Sequence, residues 1–351
     1  MAEAARSLVT AAQAARVRVA LVSAKSTDAR GADRRFADAI GADTPHPINV
    51  ICVNANETAQ LMDAFGPTVT AGRYNIGFWF WELARLPDAW LGAIDRVDEI
   101  WVASGFVAET MAASTSKPVR TIRLAVDATP SRAYRRSEFG LSEDAFTFLF
   151  TFNFSSYVAR KNPLGTINAF RKAFPRREEP VALVLKSTNG ARDRDQERHL
   201  QEAIAGDDRI RLIDRSMSRD EVFGLESVVD SYVSLHRSEG FGLGLAESMF
   251  LGKPVVGTGY SGNLEFMDAT NSLLVDYHLV AVGEREYPFP EGQVWAEPSA
   301  EHAAELMRRL VDDPAFGEEV GARARAHMLQ QFSAAAVGAG IAGRLSQILD
   351  G

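Results

Sequence analysis

The sequence predicts an α/β protein of two doubly wound domains, each a parallel sheet with helices packed on it. Three observations carry this. Short apolar runs alternate with helix-length segments along nearly the whole chain, the alternation halts at a polar, turn-rich stretch and restarts, and 351 residues exceed what one ordinary core serves. The composition, 46% hydrophobic and 24% charged, is that of a globular protein and excludes disordered, collagen-like and disulfide-scaffold classes. A net charge of -8 argues against nucleic acid as a partner and gives peripheral membrane contact no support.

In chain order, residues 1–17 (MAEAARSLVTAAQAARV) read as an amphipathic helix, not a secretion signal. Residues 17–22, 48–53, 76–80, 99–103 and 119–124 are near-continuous apolar runs, the pattern of strands buried on both faces. Helix-length segments such as 56–65 and 87–97 separate them. Residues 128–144, with Pro130 and Gly140, read as the connection between domains. The second half gives strands at 147–152, 181–185, 210–213, 232–235, 254–258 and 272–275. Its helices fall at 163–174, 195–204, 218–229 and 243–250, with Ser218 and Glu221 spaced as a capping box. Residues 300–351 are expected to be helical. The domains are therefore placed at 1–135 and 136–330, with 331–351 a helix returning to the first.

No run reaches the ~18–20 apolar residues of a membrane span, and 334–343 (AAAVGAGIAG) is too short for one. The one cysteine, Cys52, lies in an apolar run, so no internal disulfide forms and a cytoplasmic location is expected. Asp193-Arg194-Asp195 is formally a D-x-D triplet, but it opens a helix in a polar stretch, where acids favour the helix dipole. His46, His199, His278, His302 and His327 show no metal spacing and read as ordinary surface or core residues.

The chemistry concentrates in residues 231–274. A strand ends at Leu235, a loop follows, and a helix starts near Leu243, the strand-to-helix corner where α/β proteins bind ligands. Glycines 240, 242 and 244 permit close backbone approach, and the helix start offers free N–H groups to an anion. Glu239 before the helix and Glu247 on its second turn can bracket a ligand, as carboxylate acceptors suited to sugar hydroxyls. His236, three residues before Glu239, either touches that ligand or steadies the loop.

The run Glu239-Gly240-Phe241-Gly242 through Glu247, then Gly252-Lys253-Pro254-Val255-Val256, resembles the Glu-x7-Glu signature of retaining GT-B glycosyltransferases of the glycogen-synthase-like branch. Residues 259–267 (GYSGNLEFM), Phe152-Asn153-Phe154-Ser155-Ser156, Arg160-Lys161-Asn162-Pro163, Ala169-Phe170 and Trp295-Ala296-Glu297-Pro298 are similar to the bacterial polysaccharide glycosyltransferases of that family. The resemblance implies two Rossmann-like domains facing a cleft and a nucleoside diphosphate sugar as donor. It further implies a glycan or lipid-linked oligosaccharide as acceptor, and no cofactor or metal. It implies that Glu247 holds the nucleotide ribose, that Glu239 and Gly240–Gly242 with Phe241 and Leu243 grip the donor sugar, and that Arg160 and Lys161 bind the diphosphate. Ser156 departs from the family, standing where many relatives carry a further arginine.

Acceptor recognition falls to the first domain. There Tyr74–Leu83 (YNIGFWFWEL) ends in Trp81-Glu82 where many relatives place a histidine, and Glu82 is the candidate to orient or deprotonate the acceptor hydroxyl. Trp81, Asn54, Asn56 and Glu57 are the other acceptor-side candidates. Relatives begin with a strand and glycine-rich loop before the first helix, whereas this sequence opens on the helix. A first domain without its first strand, native or truncated, is therefore part of the expectation. Two further readings stand beside a transferase: a non-catalytic nucleotide- or glycan-binding subunit of a polysaccharide assembly complex, and a nucleotide-sugar epimerase on the same scaffold.

Overall fold

The computed structural model describes residues 1–23 and 35–351. They divide into two compact units, one of residues 1–127 with 330–351 and one of residues 128–329.

The first unit opens with α1 (Ala2–Ala14) and continues through β1 (Ile48–Ile51), α2 (Ala55–Phe65), α3 (Pro67–Thr70), β2 (Tyr74–Trp79), β3 (Glu99–Val102), α4 (Gly105–Ala112) and β4 (Val119–Thr121). The four strands pair in sequence order, all parallel, with Val50 opposite Ile76 and Phe78 opposite Trp101. The central strands β2 and β3 are buried almost throughout, as their continuous apolar runs require, while edge strand β1 is half-exposed. Cys52 falls just past the end of β1 and is half-buried, so it is not the core strand residue expected.

Residues 17–22 also depart from expectation. They form no strand of this sheet, and Leu21 makes one isolated parallel bridge with Ile40. An apolar run becomes a strand only where a ladder receives its N–H and C=O groups, and Val19 here is left 38% exposed.

The second unit holds β5 (Phe146–Thr151), α5 (Val158–Lys161), α6 (Pro163–Ala173), β6 (Val181–Ser187), α7 (Arg194–Ile204), β7 (Ile210–Asp214), α8 (Arg219–Val228), β8 (Ser231–Ser234), α9 (Leu243–Phe250), β9 (Val255–Thr258) and β10 (Leu273–Val275). Its six parallel strands lie in the order β10-β9-β8-β5-β6-β7. The chain starts at β5, runs outward to β7, then returns to the other side of β5 to lay down β8. That reversal between β5 and β8 is a topological switch point, where strand carboxyl ends part and leave a crevice. Beneath it Phe148, Phe170 and Phe174 pack as an aromatic core, with centroids 5.2–6.4 Å apart.

Two features of this unit went unanticipated. β11 (Tyr277–Ala281) and β12 (Val294–Pro298) form a separate antiparallel pair. The supposed connection 128–144 also belongs to the unit itself: Tyr134 donates to Asp220, and Arg136 forks onto Asp230 at 2.6–2.7 Å.

The chain closes with α10 (Ala300–Asp312), α11 (Pro314–Gln331) and α12 (Ala334–Asp350). Against the sequence expectation, an 18-residue window within Pro314–Asp350 reaches a mean hydropathy of 1.2 and meets the length and composition of a membrane span. Ser333 interrupts Pro314–Asp350 by capping α12, which buries Val337, Gly338 and Ile341 and packs along α1. The two helices touch closely because Gly338 has no side chain: a Cβ there would collide with the Ala11 carbonyl oxygen. Arg344 of α12 forks onto Glu99, which is wholly buried in β3 and also accepts from Tyr74 and Trp101.

Candidate active site

The switch point brings together the segments that follow β5 and β8. After β5 the chain makes the single helical turn α5, which Asn162 ends in the left-handed region (φ 54, ψ 51). Asn162 then caps α6 through its side chain and donates Nδ2 to the Leu235 carbonyl at 2.9 Å, fastening the end of β8. α5 thus presents Arg160 and Lys161 to the loop after β8. Arg160 is buried, donates to the Ser238 carbonyl at 2.7 Å and lies 3.1 Å from a Glu239 oxygen, while Lys161 pairs with the other oxygen. Arg237 ties the same pieces together, donating to the Ala159 carbonyl at 2.8 Å and to Glu297 of β12 at 2.7 Å.

Burial alone would raise the pKa of Glu239, but the Lys161 and Arg160 charges beside it hold it down to about 2. The carboxylate is therefore ionised and clasped by two cations. Its backbone is fixed as firmly: Glu239 N–H donates to Ser261 Oγ at 2.8 Å, and Glu239 O accepts from Gly262 N–H at 2.8 Å. Ser261 adopts φ 76, ψ -150, a region nearly reserved for glycine, and a Cβ at Gly262 would strike the Gly240 carbonyl. The 261–263 turn is a strained brace under Glu239 and Gly240, and it is the main positioning feature the residue-by-residue reading missed.

Gly242 (φ 96, ψ 59) turns the chain into α9, whose first N–H groups receive no side-chain cap from it. Gly244 lets α9 approach the sheet, since a Cβ would meet the Tyr232 hydroxyl and Thr151 Oγ1, themselves bonded at 2.8 Å. A small cavity of about 30 Å3 lies between this helix start, Lys161 and Glu239, floored by Phe150, Thr151, Tyr232 and Ser234. Cations and helix-terminal N–H groups above a hydroxyl-lined floor are groups that can chemically receive an anion. Phe241 is buried against Phe266, with centroids 5.0 Å apart, and so packs the loop.

Glu247 is buried on α9 and pairs with Arg219 at the start of α8. Nothing in the sequence linked Arg219 to it, because the contact arises where α8 packs on α9. His236 is fully buried. Its Nε2–H donates to Asn263 Oδ1 at 3.0 Å and its Nδ1 accepts from Ser234 Oγ at 3.1 Å, which satisfies a neutral ring. Burial lowers its pKa accordingly, and the loop-steadying role is the one the geometry supplies. Asp193 caps α7 through the Gln196 N–H, and Asp195 pairs with Arg198, so the D-x-D triplet serves a helix start.

In the first unit, Glu82 lies half-buried in the loop beyond the carboxyl end of β2. Asn54 accepts from the Phe80 N–H at 3.0 Å and so joins the ends of β1 and β2, while Asn56 and Glu57 are exposed on α2. Trp81 is only 2% exposed, donates its indole N–H to the Arg85 carbonyl at 2.8 Å and meets Trp90 edge-on. That is a packing role rather than the open aromatic face expected of an acceptor-side residue.

Two Rossmann-like units of parallel sheet, the second with a crevice at its switch point, define the class: this is an α/β chain of GT-B architecture. Residues 146–284 match the family described as glycosyl transferases group 1, which supports a glycosyltransferase. No curated protein matches the sequence. Among solved structures, the chain is similar to Anabaena HepE in complex with UDP and glucose, at 16% identity and TM-score 0.65 over 85% of this chain and 78% of that one. It is also similar to sucrose-phosphate synthase from Thermosynechococcus elongatus, at 17% identity and TM-score 0.65 over 90% and 75%. A third is the pneumococcal O-GlcNAc transferase GtfA in complex with UDP and GlcNAc, at 15% identity and TM-score 0.60 over 86% and 57%.

Proposed function

We propose that the chain is a retaining, metal-independent hexosyltransferase that moves a sugar from a nucleoside diphosphate sugar to a glycan or lipid-linked acceptor in cytoplasmic polysaccharide biosynthesis. One observation carries the reading: Arg160 and Lys161 converge on the buried carboxylate Glu239 at the uncapped start of α9. A departing diphosphate gains negative charge in the transition state, and fixed cations beside a helix N-terminus stabilise that charge without a metal ion. Arg160 and Lys161 would take the diphosphate, Glu239 with the Gly240–Leu243 backbone the donor sugar, and Glu247 the ribose hydroxyls. Glu82 would assist the acceptor hydroxyl. Neighbours crystallised with UDP and with UDP-glucose support a nucleotide-sugar donor.

The test is transfer from UDP-, GDP- and ADP-sugars to glycan and lipid-linked acceptors, with and without chelator, reading product configuration by NMR. Transfer with retention in chelator is expected. An inverted product overturns retention, and activity lost to chelator and restored by manganese overturns metal independence. Nucleotide binding with no transfer to any acceptor would favour a binding subunit over an enzyme.

A further inference from the structure

Behind Glu247 the second unit buries another acid. Glu226 lies on α8 and is 0% exposed, and neither of its carboxylate oxygens has a hydrogen-bond partner among the described residues. Its neighbour three residues earlier, Phe223, is buried too, so the acid sits in phase with the helix's core face. The charged and titratable groups facing it are Arg219 on its own helix, Glu247 on α9 and the Tyr232 phenol on β8. Other buried acids in this unit are matched: Glu239 by Lys161 and Arg160, Asp207 by Arg209 at 2.9 Å.

A carboxylate ionised in such a place, without a partner, costs several kcal/mol. Keeping its proton avoids that cost, and burial together with the nearby Glu247 charge pushes the group well above the ordinary carboxylate range. With Glu226 uncharged, no charge on it competes with Glu247 for Arg219. Arg219 pairs with Glu247 while its guanidinium lies 4.4 Å over the Phe223 ring.

We propose that Glu226 is a pH-sensitive positioning residue: uncharged, it leaves Arg219 to hold Glu247 in place for a nucleotide ribose, and ionised, it draws Arg219 off Glu247 and spoils that geometry. The proposal rests on the ribose-binding reading of Glu247. Nucleotide binding then requires the proton on Glu226, so affinity falls as pH rises through its titration, by up to about tenfold per pH unit.

Calorimetric titration with UDP from about pH 6 to about pH 9 reads this directly, that range covering where buried glutamates are known to titrate. The wild type should lose affinity toward alkaline pH. Glu226→Gln and Glu226→Leu should match the wild type at the acidic end and hold that affinity across the range. The phosphate's own titration is common to all three proteins and drops out of the comparison. Infrared difference spectra at neutral pH should show a protonated carboxyl band in the wild type that Glu226→Gln lacks. Parallel pH profiles in wild type and variants, or no such band, overturn the positioning role alone. A wild type that binds neither UDP, GDP nor ADP overturns the reading of Glu247 and this role with it.

Discussion

Replacing Glu239 with glutamine should destabilise the ligand-free protein and at the same time enlarge its response to a diphosphate. Burial would raise the pKa of this carboxyl, but Lys161 and Arg160 hold it down to about 2 from an ordinary 4.5. A gap of that size corresponds to about 3 kcal/mol in favour of the ionised native state. Because the folded value lies below the unfolded one, this contribution is complete above pH 4.5 and is lost as pH falls toward about 2. Glutamine preserves the shape but leaves two cations facing each other across the loop, so the same few kcal/mol disappear at neutral pH. For a unit of this size that is roughly 6–12 °C in melting temperature. A diphosphate then supplies the missing negative charge, so the thermal shift induced by UDP should exceed that of the wild type. Thermal melts across acid and neutral pH, with and without UDP, make the measurement. An unchanged melting temperature together with an unchanged UDP shift would refute the argument, as would a difference between the proteins that persists undiminished below pH 2.

Lys161→Ala should lower UDP affinity by roughly 10- to 100-fold, the worth of a charge-assisted hydrogen bond, and leave uridine affinity nearly unchanged in calorimetry; equal losses for both would contradict a phosphate role. Arg344→Ala should cost about 3–5 kcal/mol in urea unfolding, because it strips a cation from the buried Glu99. Burial would raise the Glu99 pKa, yet the donors Arg344, Trp101 and Tyr74 lower it on balance, so wild-type stability from this site should fade as pH drops below the ordinary carboxylate range and the variant should show less of that fading. Glu82→Gln should slow transfer by ~10²–10⁴-fold while UDP affinity holds; full activity in that variant would remove Glu82 from the mechanism.

The strands and most helices of both units are legible in the sequence because their signal is local. Buried parallel strands are continuous apolar runs, and helix starts such as Ser218 with Glu221 carry their own capping chemistry. Where local pattern and tertiary pairing part company, the reading fails. Residues 17–22 look like a strand but find no ladder, whereas β11 and β12 do pair, with 12 residues between them and no tight-turn dipeptide to announce it. Residues 128–144 look like a linker because they are polar, yet their polar groups are spent on Asp220 and Asp230 of the second unit.

The site divides along the same line. Glu239, Gly242 and Glu247 are visible because a loop and the helix that follows it are contiguous, so spacing alone places them. The residues that hold them are not contiguous. Lys161 reaches Glu239 across 78 positions, Arg160 reaches the adjoining Ser238 carbonyl across 78, Arg219 reaches Glu247 across 28, and Ser261 supports Glu239 across 22. The first two exist because β5 and β8 are neighbours although β6 and β7 are made between them, the third because α8 packs on α9, and the last because β9 lies beside β8, arrangements no helical or strand period encodes. Glu226 is the exception that spacing could have flagged. An acid three residues after Phe223, on the face that α8 buries, breaks the apolar phase of its own helix. A charge misplaced by that rule is either an error of phase or a group kept neutral by its surroundings, and the unpaired oxygens at 0% exposure decide for the second.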